Sequence, residues 1–185
     1  ATIASSIPGY NLNLPLNVGA GAVRMDLGYG NFSLQAEYAH KGQDPTVMND
    51  YIYRKGNALI INANYSQKGF SANLQAKRVD NMGFKSERSA TDANGARLYV
   101  NYIPAITKQH TYAFLSMYPY ATQTTGEMGL QGDLMYKFKK ETLLGGKYGT
   151  DIHFNCAIIT GLDTTQVNGG GAGTEGYTSN FFGTG

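Results

Sequence analysis

Hydrophobic and polar residues alternate along much of this chain, most clearly in residues 57–79, NALIINANYSQKGFSANLQAKRV. In the first arm Leu59, Ile61, Ala63 and Tyr65 fall on one side and Ala58, Ile60, Asn62, Asn64 and Ser66 on the other. In the second, Phe70, Ala72, Leu74 and Ala76 oppose Ser71, Asn73, Gln75 and Lys77. A period of two predicts strands, because successive side chains of a pleated backbone point to opposite faces. Gln67, Lys68 and Gly69 predict a turn short enough to force antiparallel pairing, with Gly69 free to take positive φ. One face is apolar and ends in rings beside the turn; the other carries amides and a lysine.

The same pattern recurs. In residues 16–29, Val23, Met25, Leu27 and Tyr29 oppose Ala22, Arg24, Asp26 and Gly28, and Gly30-Asn31 turns the chain back. Phe32, Leu34, Ala36 and Tyr38 then oppose Ser33, Gln35, Glu37 and Lys41. Residues 42–56, with Asp44-Pro45 and Asn49-Asp50, form a long polar loop. A second long loop ends at Gly95, after which Arg97, Tyr99 and Asn101 alternate with Leu98, Val100 and Tyr102 up to Pro104, which cannot donate to a ladder. Tyr112, Phe114, Ser116 and Tyr118 predict the next strand, although Ala113, Leu115 and Met117 leave its facing open. Residues 122–128 read as a loop, and Leu130, Leu134, Tyr136 and Phe138 then oppose Gln131, Asp133, Met135 and Lys137. A final clear strand sets Tyr148, Ile152, Phe154, Cys156 and Ile158 against Asp151, His153 and Asn155. Residues 1–14 read as loop; beyond Gly161 the chain is Gly-rich, and one more strand can begin at 177–182.

The connections alternate short and long, the habit of outer-membrane barrels with tight periplasmic turns and longer external loops. Rings gather at the short-turn end: Tyr29 and Phe32, Tyr65 and Phe70, Tyr102 and Tyr112, Phe138 and Tyr148. Such a row suits an interface girdle, where a ring prefers the membrane boundary and a hydroxyl needs water; tyrosine also favours strands in general. The fold expected is all-β, an antiparallel up-and-down transmembrane β-barrel, with residues 1–185 as a single, partial barrel domain. The first clear strand ends at a short turn, so it descends from the external side and calls for an earlier ascending strand. The chain is therefore expected to be an interior piece of a larger barrel; a complete eight-stranded barrel is the alternative. On this register the lumen-facing polar residues are Arg24, Asp26, Glu37, Lys41, Lys77, Arg97, Asp133, Lys137, Asp151 and His153.

Composition sharpens this picture. Charged residues make up only 15% of the chain, below the roughly 25% of soluble domains, and 14 Tyr and 8 Phe suit a surface meeting lipid. The 15 basic and 13 acidic residues are scattered, which argues against a nucleic-acid tract and predicts no marked ion selectivity. The single cysteine, Cys156, excludes an internal disulfide and reads as a small strand residue. No run approaches the roughly 20 apolar residues of a membrane helix, so a bilayer would be spanned by a closed sheet.

Residues 14–161 resemble a Bacteroidota family of outer-membrane β-barrel proteins of unknown function. LPLNVGAGAVRMD from Leu14, YIPAITKQHTYAFLSMYPYATQTTGEMGLQGDLMYKF from Tyr102 and LLGGKYGTDIHFN from Leu143 carry the resemblance. It implies the outer membrane of a Gram-negative bacterium and a barrel fold, and brings no catalytic motif. Members resembling this chain are longer than 185 residues.

Catalytic chemistry is sparse. His40, His110 and His153 have no carboxylate or cysteine at ligand spacing, so no metal is expected. The stretch GGKYGT from Gly145 lacks the spacing of a phosphate loop, and GGGAGTE from Gly169 is one copy of a calcium-type glycine motif that needs repeats. No nucleophile elbow or triad is placed. An enzyme and a cofactor are therefore not expected. The function expected is a porin-like passive channel for small solutes; the alternative is a structural or scaffolding barrel of an envelope complex without transport activity. The partners expected are the lipid bilayer and other envelope proteins, with no nucleic acid.

Overall fold

The computed structural model of the protein describes residues 4–5, 7–85, 87, 93, 103–106 and 121–185. Among them the chain is all-β and antiparallel, with a short 3-10 helix, Val47–Asn49, and no α-helix. The strands are β1 (Ala20–Tyr29), β2 (Phe32–Lys41), β3 (Gly56–Gln67), β4 (Phe70–Asp80), β5 (Gly126–Phe138), β6 (Thr150–Thr160), β7 (Leu162–Gln166) and β8 (Tyr177–Thr184). The first six form one up-and-down sheet in the order β1-β2-β3-β4-β5-β6, and β7 and β8 form a separate hairpin. Among the described residues the sheet is open, with β1 and β6 at its edges.

The alternation predicted from the sequence is realised in the ladder. Asn62 lies opposite Gln75, Ala63 opposite Leu74 and Asn64 opposite Asn73, so polar faces polar and apolar faces apolar. The two hairpin turns are tight: Gly30-Asn31 joins the Tyr29–Phe32 pair, and Lys68-Gly69 joins the Gln67–Phe70 pair. Gly69 takes φ 82°, the left-handed backbone that a residue with a Cβ resists. Gln67, expected in the turn, is the last residue of β3. The two-residue turns define one end of the sheet, the turn end; residues 42–55 and the connection from Asn81 to Thr125 leave from the opposite, loop end.

The strand order departs from expectation in the middle of the chain. Phe70 to Asp80 pair without interruption with Tyr136 to Gly126, so β4 and β5 are direct neighbours. Both hydrogen-bonding edges of β4 are used, by β3 and β5. The two strands expected at 97–102 and 112–118 lie outside the described residues. Other boundaries shift by a few positions. Residues 126–128, read as loop, extend β5; Tyr148 precedes β6 rather than opening it; residues 162–166, read as Gly-rich coil, form β7.

A small core sits at the loop end, on the face of the sheet that carries the amides. Val79 is fully buried there with Ala58 and Met82, and Ala39 and Ile103 pack against them. Met82 and Ile103 belong to the connection between β4 and β5, which folds back over this face. The C-terminal hairpin covers the opposite face at the same end: the Arg78 guanidinium lies 4.6 Å from the Phe181 ring centroid, and that of Arg54 lies 4.1 Å from Tyr177. Among the described residues the loop end is therefore three layers deep, and the turn end is a single sheet.

The close approach of the fold-back is set by a glycine. A Cβ on Gly56 would meet the Asn81 carbonyl oxygen at 2.3 Å, a backbone atom with no freedom to yield, whereas a Cβ on Gly132 would meet nothing within 4 Å. Gly56→Ala is expected to destabilise the protein by about 1–3 kcal/mol, and Gly132→Ala to leave stability within about 0.5 kcal/mol of the parent. Urea unfolding of the two variants side by side checks this.

Candidate functional site

The candidate site is the amide-bearing face, built from facing positions of all six strands. The register sets Arg24 opposite Glu37, Asn62 opposite Gln75, Asn64 opposite Asn73, and Lys137 opposite Asp151. Each of these opposed pairs is bonded. The Arg24 Nε donates to Glu37 Oε2 at 2.9 Å, the Gln75 amide donates to Asn62 Oδ1 at 2.7 Å, the Asn73 amide donates to Asn64, and Lys137 Nζ lies 3.4 Å from Asp151 Oδ2. Asp26, Asp133 and His153 occupy the same phase opposite Gln35, Asn73 and Met135. At the four bonded pairs polar groups satisfy one another across the ladder, with opposite charges in register at Arg24–Glu37 and Lys137–Asp151. Arg97, assigned to it from the sequence, lies outside the described residues.

Two lysines of this face are buried under the fold-back. Lys77 Nζ donates to the Pro104 carbonyl at 2.8 Å and to Thr122 Oγ1 at 2.7 Å, and sits 2.7 Å from Glu127 Oε1. Glu127 Oε2 accepts from the Gln123 backbone N–H at 2.7 Å. Lys77 and Glu127 are both almost completely buried, so each charge is compensated inside protein rather than by solvent. Lys41 reaches the Gly83 carbonyl and stands 3.8 Å from Asp44. These bonds hold residues 81–85, 103–106 and 122–123 across the polar face. Beside Pro104 a cavity of about 460 Å³ remains open, lined by Arg24, Asp26, Glu37, Asn62 and Gln75.

Glu127 was not legible as a site residue because its segment reads as a loop. The signal was present: Glu127 continues the phase of Gln131 and Asp133. The opposite face holds a second group that the sequence did not single out, at the loop end. Asp80 accepts from Arg54 at 2.6 and 3.0 Å, from Ser179 at 2.7 Å and from Tyr177 at 2.8 Å, with Arg78 at 3.3 Å. Burial works against the Arg54 charge, but the Asp80 carboxylate outweighs it and holds the guanidinium above its ordinary value. Arg78 and Asp80 extend the phase of Phe70 to Ala76, which is why they emerge on the apolar side.

Elsewhere that side is bare. Val23, Leu27, Leu74, Leu134, Phe154 and Ile158 are all exposed. At the turn end Tyr29 lies opposite Phe32, Phe32 opposite Tyr65, and Phe70 opposite Tyr136. The Tyr65 and Phe70 ring centroids are 6.1 Å apart, and those of Tyr136 and Phe138 4.7 Å. The row thus crosses from β1 to β5 and includes Tyr136, which the sequence reading left out. Tyr148 stands exposed in the connection before β6, and Tyr102 and Tyr112 lie outside the described residues.

Among the described residues no group of three or more His, Cys, Asp or Glu side chains is placed to hold a metal ion, and no helix is long and apolar enough to cross a membrane. A model of a family of unknown function, DUF6029, matches residues 4–185. No curated protein matches the chain. No solved structure matches it either.

The buried and exposed ion pairs of the polar face differ in consequence. Lys77→Met leaves the Glu127 carboxylate buried without its cation and is expected to cost about 3–5 kcal/mol, while Lys77→Met combined with Glu127→Leu recovers most of the loss. Arg24→Gln, at a pair whose side chains are 69% and 39% exposed, is expected to leave the unfolding midpoint close to that of the parent. A denaturant series over the four proteins separates these outcomes.

Proposed function

Because this chain belongs to the DUF6029 family, whose function is unknown, its role has to be read from its own residues, and we propose that it is an outer-membrane β-barrel protein of a Gram-negative bacterium of the Bacteroidota that serves as a passive channel for small solutes. The observation that carries the reading is the exposed apolar face. Leu27 on β1 is 53% exposed, Leu74 on β4 50%, and Phe154 and Ile158 on β6 59% each, all on the same side of the sheet. A water-soluble monomer rarely leaves a continuous apolar patch of that kind uncovered. Each such side chain moved from water into hydrocarbon contributes roughly 1.5–3 kcal/mol.

Two further features support it. The strands of the sheet are 10 to 13 residues long, close to the roughly 9–11 that a tilted strand needs to cross a bilayer. Closing the sheet would satisfy the free edges of β1 and β6, as lipid requires. In a closed barrel the paired amides and ions of the polar face line the lumen, with the ring row at one membrane boundary and residues 42–55 outside. Opposed charges of both signs give solutes a hydrated wall with no dominant field.

The fold-back over Lys77 favours a second reading, a scaffolding barrel whose lumen is closed and whose loops carry envelope partners. Planar-bilayer recording of the purified protein separates the two: the channel passes cations and anions with little preference, and the scaffold passes neither.

Cys156 is a built-in probe of the shared premise, since it is exposed and lies opposite Gly132 on the apolar side. In intact envelopes a charged, water-soluble maleimide is expected to leave Cys156 unmodified and to label it after solubilisation in SDS. Rapid labelling before solubilisation, or recovery of the protein from the aqueous fraction without detergent, would remove the membrane reading.

A further inference from the structure

We infer that the cleft between β8 and the apolar side of the sheet at the loop end is a binding site for an amphiphile with one acyl chain and an anionic head. The cleft has a volume of about 410 Å³, within the roughly 300–1,000 Å³ of small-molecule sites. Leu59 and Ile61 of β3, Leu130 of β5, Ile158 of β6 and Phe181 of β8 form its apolar lining, and Arg78 contributes its one guanidinium. Lys77 also borders the cleft, but its ammonium is engaged on the opposite face with Glu127, so an apolar trough with one guanidinium at its wall matches a ligand with a hydrocarbon chain and a negative end.

The charge balance is the independent observation. Arg54 and Arg78 both pair with Asp80, and among the described residues no other carboxylate lies within ion-pair distance of either. Two guanidiniums therefore share one carboxylate, leaving one positive charge in excess at a place where Arg78 is only 4% exposed. Asn57 and Ser179 accept from its terminal nitrogens, but its Nε–H is buried with no partner. Asp80, shared with Arg54, and the Phe181 ring offset that charge only in part, a buried donor without a partner is costly, and a carboxylate or phosphate oxygen would answer both deficits with one charge-assisted bond. The site lies on the side of the sheet away from the amides, so it does not depend on whether the lumen conducts.

Native mass spectrometry of the full natural chain in a nonionic detergent tests this, with palmitate, methyl palmitate and palmitoyl lysophosphatidylglycerol as probes. Saturable one-to-one binding of palmitate or of the lysophospholipid is expected, and whichever binds identifies the head as a free carboxylate or a lipid phosphate. Methyl palmitate, with the same chain and no charge, should bind about tenfold more weakly. Arg78→Met should bring the anion down to the level of the ester and leave the ester unchanged. Ile158→Trp, at an exposed position of the lining, should block all probes, and with the acid–ester comparison on the parent it decides the matter should Arg78→Met fail to fold. Equal affinity for acid and ester, binding indifferent to Ile158→Trp, or no binding by any probe overturns the inference.

Discussion

Every structural property of this protein descends from the pleat: in a ladder of antiparallel strands, neighbouring residues cannot share a face. Once Asn62 is opposite Gln75, Ala63 must be opposite Leu74, and the sheet divides into a side of amides and ions and a side of aliphatics and rings. A one-residue slip between any two strands would drive Arg24 or Lys77 onto the apolar side and Leu74 onto the polar one. The bonded pairs Arg24–Glu37, Asn62–Gln75 and Lys137–Asp151 add a further penalty to slippage, because each needs the true register to meet. Register is specified from both faces at once.

The two ends of the sheet are built on different principles. At the loop end the connection after β4 folds over one face and the C-terminal hairpin over the other, so Val79, Lys77 and Asp80 are excluded from water. At the turn end no described segment is layered on the sheet, and the side chains that dominate are Tyr29, Phe32, Tyr65 and Phe70. Cooperative stability is therefore expected to concentrate at the covered end, where burial and charge pairing coincide. In a bilayer the uncovered apolar side would be stabilised by lipid instead of by protein layers.

Buried charge at the loop end ties the chain together over long sequence separations. Lys77 joins the Pro104 carbonyl, Thr122 and Glu127, and Asp80 joins Arg54, Tyr177 and Ser179. Such pairs contribute modest net stability relative to apolar replacements, since desolvation offsets much of their attraction. Their consequence is specificity: an ion committed to low dielectric tolerates few alternative arrangements of the segments that neutralise it. The fold-back that narrows the polar face and the hairpin that walls the apolar cleft are each held by one of these groups.

The identity and facing of β1 to β6 and the tight turns were legible in the sequence, because period-two alternation and the Gly30 and Gly69 positions are local properties of a pleated backbone. So was the polar face, from Arg24 and Asp26 through Lys137 and Asp151. What lay beyond local reading was which strands are neighbours. The pairing of β4 with β5 depends on competition for the β4 edge between segments far apart in the chain, and no periodicity encodes that contest. The same holds for Glu127, whose importance comes from Lys77 across the ladder, and for Arg78 and Asp80, whose partners arrive from β8. Alternation determined the two sides of the sheet; long-range packing decided what covers them, because burial and charge compensation are set by whichever distant segment comes to rest there.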